Sequence, residues 1–160
     1  MVMDTNDQQE LNDELIFAAR DGDLNKVKSI YESISEGTIC AFLYAVDNGK
    51  FEVIEWMHEH KMEVANYYGY ALNLAALNGN LCLVKWLHKH GAPVDSRDNE
   101  ALRGAAKNGH IEIVKWLHEH GAHIAANNNQ AIRLAYKNGH SHIVEYIKSQ
   151  NGWLWTPTNK

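Results

Sequence analysis

The sequence predicts an all-α solenoid, a row of short helical pairs each stacked on the next. Three observations predict it. Gly49, Gly79, Gly109 and Gly139 stand thirty residues apart, and similar runs follow the last three: Gly79-Asn-Leu-Cys-Leu-Val-Lys-Trp-Leu, Gly109-His-Ile-Glu-Ile-Val-Lys-Trp-Leu and Gly139-His-Ser-His-Ile-Val-Glu-Tyr-Ile. Within a unit the apolar residues recur at spacings of three and four, which places them on one face of each of two helices. Asn108-Gly109 then marks a turn between the two, since both residues tolerate positive φ.

Residues 1–10 are polar and read as a frayed tail. The repeat domain spans 11–150, in units 11–37, 38–67, 68–97, 98–127 and 128–150. In the first unit Gly22 precedes Gly49 by only twenty-seven residues, and its second segment is the more polar, as expected of a capping repeat whose outer face meets water. The 98–127 unit shows the pattern best. Leu102, Ala105 and Ala106 form the apolar face of the first helix, and Ile111, Ile113, Val114, Trp116 and Leu117 that of the second. The small alanines let the two helices approach. Gly91 and Gly121 follow His90 and His120, where a helix end favours a left-handed residue. Asn99 and Asn129 fall where the next helix needs an N-cap. Helices of about ten residues are below the ~12–15 that persist alone in water, so no unit should fold by itself. The chain ends in a tail, 151–160. There Trp153 aligns with His123 and Leu154 with Ile124, and Trp153-Leu154-Trp155 is expected to fold back over the last pair. A docking peptide is the alternative.

At 160 residues with 45% apolar content, the chain is one domain by length with enough apolar surface for a continuous core. Its net charge of −5 is uneven. Residues 1–60 carry thirteen acids and four bases, a balance of −9, and residues 61–160 carry seven acids and eleven bases, a balance of +4. That asymmetry could steer a protein partner but lacks the strongly basic patch of a nucleic-acid binder. No apolar run reaches the ~18–20 residues of a membrane span, and the acidic start lacks the form of a signal peptide. An intracellular, cytoplasmic location is expected. Cys40 and Cys82 read as reduced packing residues.

Ten histidines raise a metal question. His58/His60, His88/His90 and His118/His120 have His-x-His spacing, which on a helix points the two rings about 200° apart, so one pair does not chelate. Helix-end and turn roles fit better. His-Glu-His at 58–60 and 118–120 is not the His-Glu-x-x-His of zinc proteases. No phosphate loop, dinucleotide fingerprint or nucleophile motif is present. The reading is therefore non-enzymatic, with no cofactor, no resident metal and no catalytic residue. Trp56, Trp86, Trp116 and Tyr146 share one repeat position. Packing between second helices is the favoured role, over an exposed binding stripe.

These residues resemble the ankyrin repeat, whose unit reads roughly Thr-Pro-Leu-His-x-Ala-Ala-x-x-Gly-His, an Ile-Val second helix, then Gly-Ala-hydrophobic-Asn or Asp. Leu102-Arg-Gly-Ala-Ala-Lys-Asn-Gly-His110, Ile113-Val-Lys-Trp-Leu117 and the connectors Gly91-Ala-Pro-Val-Asp95 and Gly121-Ala-His-Ile124 carry the likeness. The usual period is 33 and this one is thirty, with the shortfall where the family projects β-hairpin fingers. Fingers should be shortened or absent. The thirty-residue form is similar to repeats of giant viruses that infect amoebae, which would place it in host cytoplasm.

In an ankyrin stack, as the resemblance implies, the first helices line the concave face. The residues six and two before each glycine share that face: Leu43 and Asp47, Asn73 and Leu77, Arg103 and Lys107, Arg133 and Lys137. They are the expected partner-binding positions of a monomeric interaction module. The last four suit an acidic or phosphorylated segment of a partner protein. A metal- or pH-responsive role for the histidine columns is the alternative, with a purely structural array as a third. If columns His58/His88/His118 and His60/His90/His120 become like-charged ladders on acidification, melts at about pH 5 and about pH 8 at matched ionic strength will differ; identical melts remove the idea.

Overall fold

The computed structural model describes residues 5–34, 38–60 and 64–151. Among them are ten α-helices, one 3-10 turn and no strand. The chain divides into two compact units, residues 1–71 and 72–160.

In the first unit, α1 (Thr5–Asp21) pairs with α2 (Leu24–Tyr31), and α3 (Thr38–Asp47) with α4 (Phe51–Glu59). A 3-10 turn, Ala65–Tyr67, leads to α5 (Tyr68–Leu77), which runs on into the second unit. Helix α1 takes in residues 5–10, set apart above as a frayed tail. Gln8, Gln9 and Glu10 are good helix formers, and a helix already anchored by the fully buried Leu15 extends at little cost. Helices α1 and α3 lie against each other, with Ala18, Ala19, Ala41, Phe42 and Ala45 almost wholly buried.

In the second unit, α5 continues to α6 (Leu81–Lys89), then come α7 (Ser96–Asn108) with α8 (Ile111–Glu119), and α9 (Ala126–Lys137) with α10 (Ser141–Asn151). Most of the periodic residues are buried: Leu102, Ala105, Ala106, Val114 and Leu117 are at most 1% exposed and Ile113 2%, whereas Ile111 and Trp116, expected on the same face, are half-buried. At the second-helix ends, Gly91 and Gly121 adopt the left-handed conformation, and Ala92 and Ala122 N–H return to the carbonyls of Leu87 and Leu117, closing the helices as expected.

The place of the missing finger is taken by a device the sequence did not reveal. Arg97, Asp98 and Asn99 are three consecutive left-handed residues (φ 49°, 58° and 62°), and Asn127, Asn128 and Asn129 repeat the turn (φ 51°, 53° and 61°). Each non-glycine residue there costs roughly 1–2 kcal/mol, and Asn and Asp tolerate it best. Asn99 is no ordinary N-cap. It is 4% exposed, and its Oδ1 accepts the His123 N–H at 2.7 Å, tying the turn to the next connector. Arg103 and Arg133 hold the same turn by donating to the carbonyls of Arg97 (3.5 Å) and Asn127 (3.3 Å).

A second tie joins neighbouring pairs. His110 Nε2 donates to the Leu77 carbonyl at 3.0 Å, beside Asn108 Nδ2 at 2.8 Å, and His140 Nε2 donates to the Lys107 carbonyl at 2.9 Å. Each ring lies against a glycine of the preceding pair. A Cβ at Gly79 would stand 2.7 Å from His110, and one at Gly109 2.8 Å from His140.

Gly109→Ala therefore combines a positive-φ penalty of roughly 1–2 kcal/mol with a steric clash, and a lower urea midpoint is expected. In a His140→Ala background, which has already lost the ring and its bond to Lys107, Gly109→Ala should cost only the positive-φ part. Asn99→Ala should cost about 1–3 kcal/mol by orphaning the His123 N–H, and Asn99→Gly should remain destabilised, since it keeps the φ and loses the carboxamide.

Candidate functional site

The eight expected partner-binding residues are not equally available. Leu43 is half-buried and Asp47 exposed on α3 of the first unit. The other six lie in the second unit. Asn73 is 6% exposed, and its Nδ2 donates to Glu100 Oε2 at 2.8 Å, so the side chain joins α5 to α7 instead of facing a partner. Its Oδ1 is buried without a hydrogen bond. Leu77 is half-buried over Gly104. Arg103 repeats the Asn73 bond one unit on, with Nη1 donating to Gln130 Oε1 at 3.2 Å. Residue six before the glycine thus reaches residue nine before the next glycine, a link that sequence spacing on a single helix cannot show.

Four cations remain on α7 and α9, which pack together. Arg103 is half-buried with its guanidinium fixed by the two bonds above, and exposed Arg133 is fixed by one. Lys107 and Lys137 are exposed one turn further along, and among the described residues no carboxylate pairs with either ammonium. The strip therefore offers two positioned planar donors and two mobile point charges, a set suited to carboxylates or phosphates.

The histidine columns are accounted for locally. His60, His90 and His120 each donate Nδ1–H to the carbonyl of the Trp four residues earlier, at 2.8, 2.7 and 2.7 Å. Each ring lies over that indole, with centroids 4.0, 4.1 and 3.9 Å apart. The other member of each pair points elsewhere. His58 Nδ1 lies 2.6 Å from the Tyr68 hydroxyl, His118 Nδ1 lies 2.9 Å from that of Tyr146, and His88 Nδ1 donates to the Ala92 carbonyl at 3.1 Å. The roughly 200° divergence read from the spacing is what separates these roles. Among the described residues no three His, Cys, Asp or Glu side chains converge as a metal site. The Trp column is half-buried, covered by its own histidines, and further packed by Tyr31 on Trp56 and His88 on Trp116.

Cys40 and Cys82 depart from the packing role. Both are exposed, unbridged thiols, because their positions fall on the outward side of α3 and α6. Trp153-Leu154-Trp155 lies outside the described residues.

Among the described residues, no helix is long and apolar enough to cross a membrane. A family model described as "Ankyrin repeats (3 copies)" matches residues 15–98 and again 72–153. No curated protein matches the chain.

Burial pushes the Tyr68 and Tyr146 phenols above their ordinary value, with the Glu119 carboxylate adding to the shift at Tyr146. Both hold the proton more tightly folded than unfolded. Their contribution is complete below about pH 10 and is lost as pH rises through the folded values. Urea midpoints should fall above about pH 10, and the Tyr68→Phe/Tyr146→Phe double variant should flatten that part of the profile.

Proposed function

The chain belongs to the ankyrin repeat family, whose members are generally protein–protein interaction modules, and from that premise we propose that it is a non-enzymatic binding module. Its first-helix face in the second unit, Arg103, Lys107, Arg133 and Lys137, receives an acidic or phosphorylated segment of a partner protein. The observation that carries this reading is the contrast between core and strip. The apolar positions repeat with little change, whereas the strip positions vary in kind and gather four cations, three of them exposed, without a carboxylate bound to either lysine among the described residues. A rigid stack supports such recognition because the surface is organised before binding and little ordering entropy is lost.

Electrostatics supports the partner class. Two guanidiniums held by backbone and amide bonds present forked donors in fixed directions, and the lysines add charge that adapts to the position of the anion. Family resemblance and the absence of any catalytic motif in the sequence both support a binding role over catalysis.

The test is fluorescence anisotropy with a labelled glutamate-rich peptide and its phosphoserine counterpart. Lys107→Glu/Lys137→Glu is expected to weaken binding roughly tenfold or more through loss and reversal of rim charges, with the urea melt unchanged because both side chains are exposed. Arg103→Lys should weaken binding and lower the melt together, since Arg103 also fastens Gln130. Unaltered affinity in the double lysine variant rules the strip out.

A further inference from the structure

The first unit carries a surface of the opposite character. Phe17 is 54% exposed and Tyr44 46%, two of the largest apolar exposures among the described residues. They occupy one repeat position, five before Gly22 and five before Gly49, on the neighbouring helices α1 and α3. Asp13, Phe17 and Arg20 follow one another at spacings of four and three down α1, as Cys40, Tyr44 and Asp47 do down α3, so each set lies along one helical line, and all six are exposed. Tyr70, 38% exposed, begins the matching line on α5 within the same unit. Monomeric surfaces expose apolar residues singly as a rule; two aromatics at one repeat position of adjacent helices make a patch.

The patch already holds a cation. The Arg20 guanidinium carbon sits 5.0 Å from the Phe17 ring centroid, and the Asp21 carboxylate beside it favours its charged form. Asp21 grips the same guanidinium at 2.8 and 3.3 Å. The ring is thus presented in a geometry that takes a guanidinium from its own chain. Beyond Phe17, a hollow on α1 is lined by Asp7, Glu10, Asp13 and Glu14 around Leu11. Lys26 of α2 already meets Glu14 at 2.7 Å, and the three other acids, Asp7, Glu10 and Asp13, face no base on α1 or α3 besides Arg20. Charge complementarity therefore selects the occupant.

We propose that the Phe17–Tyr44 face of the first unit is a docking surface for a partner segment that alternates arginine or lysine with aliphatic side chains, the cations lying over the rings and in the acidic hollow. This surface is independent of the cationic strip and takes a ligand of the opposite sign, so the two can fail separately.

The probe is a short fluorescein-labelled peptide alternating arginine with leucine, compared with the same peptide carrying glutamate for arginine, on the full chain. Binding of the arginine peptide, its loss by about tenfold in Phe17→Ala/Tyr44→Ala, and indifference to Lys107→Glu/Lys137→Glu are expected. Phe17→Leu/Tyr44→Leu keeps apolar area while removing the ring faces and should lose affinity as well. Both pairs of residues are exposed, so urea melts should stay at the parent midpoint. The proposal is overturned if the alanine pair leaves affinity intact, which would mean undirected attraction to acids. Equal binding of the glutamate peptide overturns it, as does full retention in the leucine pair. Sedimentation that shows a dimer abolished by the alanine pair would identify a second copy as occupant and likewise end it.

Discussion

A thirty-residue unit has no hairpin with which to clasp its neighbour, and the structure depends on how that lack is made good. Helical pairs of this length do not persist alone, so the polar backbone between them must be tied by side chains. In the second unit the ties are specific: an imidazole on the carbonyl of the preceding first helix, and a carboxamide on the amide of the following connector. Both need a backbone that other residues resist. Gly79 and Gly109 leave room for a ring at positive φ, and Asn99 occupies the third place of a left-handed turn. Shortening the repeat is therefore coupled to the residues Asn, Gly and His at fixed places.

The same ties shape what the surface can bind. Residues six before the glycine are partly engaged in holding the stack, Asn73 through Glu100 and Arg103 through Gln130. Of those two before it, Lys107 and Lys137 are exposed, whereas Leu77 is half-buried over Gly104. The two positions look equivalent on a helical wheel and are not equivalent in the fold. Exchange of Lys107 or Lys137 leaves the ties between units in place, whereas exchange of Asn73 or Arg103 removes one. Sign also differs along the chain: aromatics among acids on α1 and α3, cations on α7 and α9.

The histidines and cysteines illustrate the limits of pattern reading. The spacing correctly set the paired histidines on divergent faces. It could not show that His60, His90 and His120 turn back onto their own helix ends over a tryptophan, because that depends on which carbonyl lies within reach. Cys40 and Cys82 resemble buried small residues by composition, yet their places on α3 and α6 face outward.

The sequence by itself determined the repeat, the helical pairs, the left-handed glycine ends and the core, since each is written in local periodicity and turn chemistry. It also placed Arg103, Lys107, Arg133 and Lys137 on one face. Tertiary structure alone decided which of them remained exposed, that Asn73 would be buried, and that 97–99 and 127–129 would wind left-handed. The burial of Asn73, the fastening of Arg103 and the seating of Asn99 rest on hydrogen bonds between residues twenty-four to twenty-seven positions apart. A local pattern holds no record of such partners, because the bond exists only once the next unit is in place.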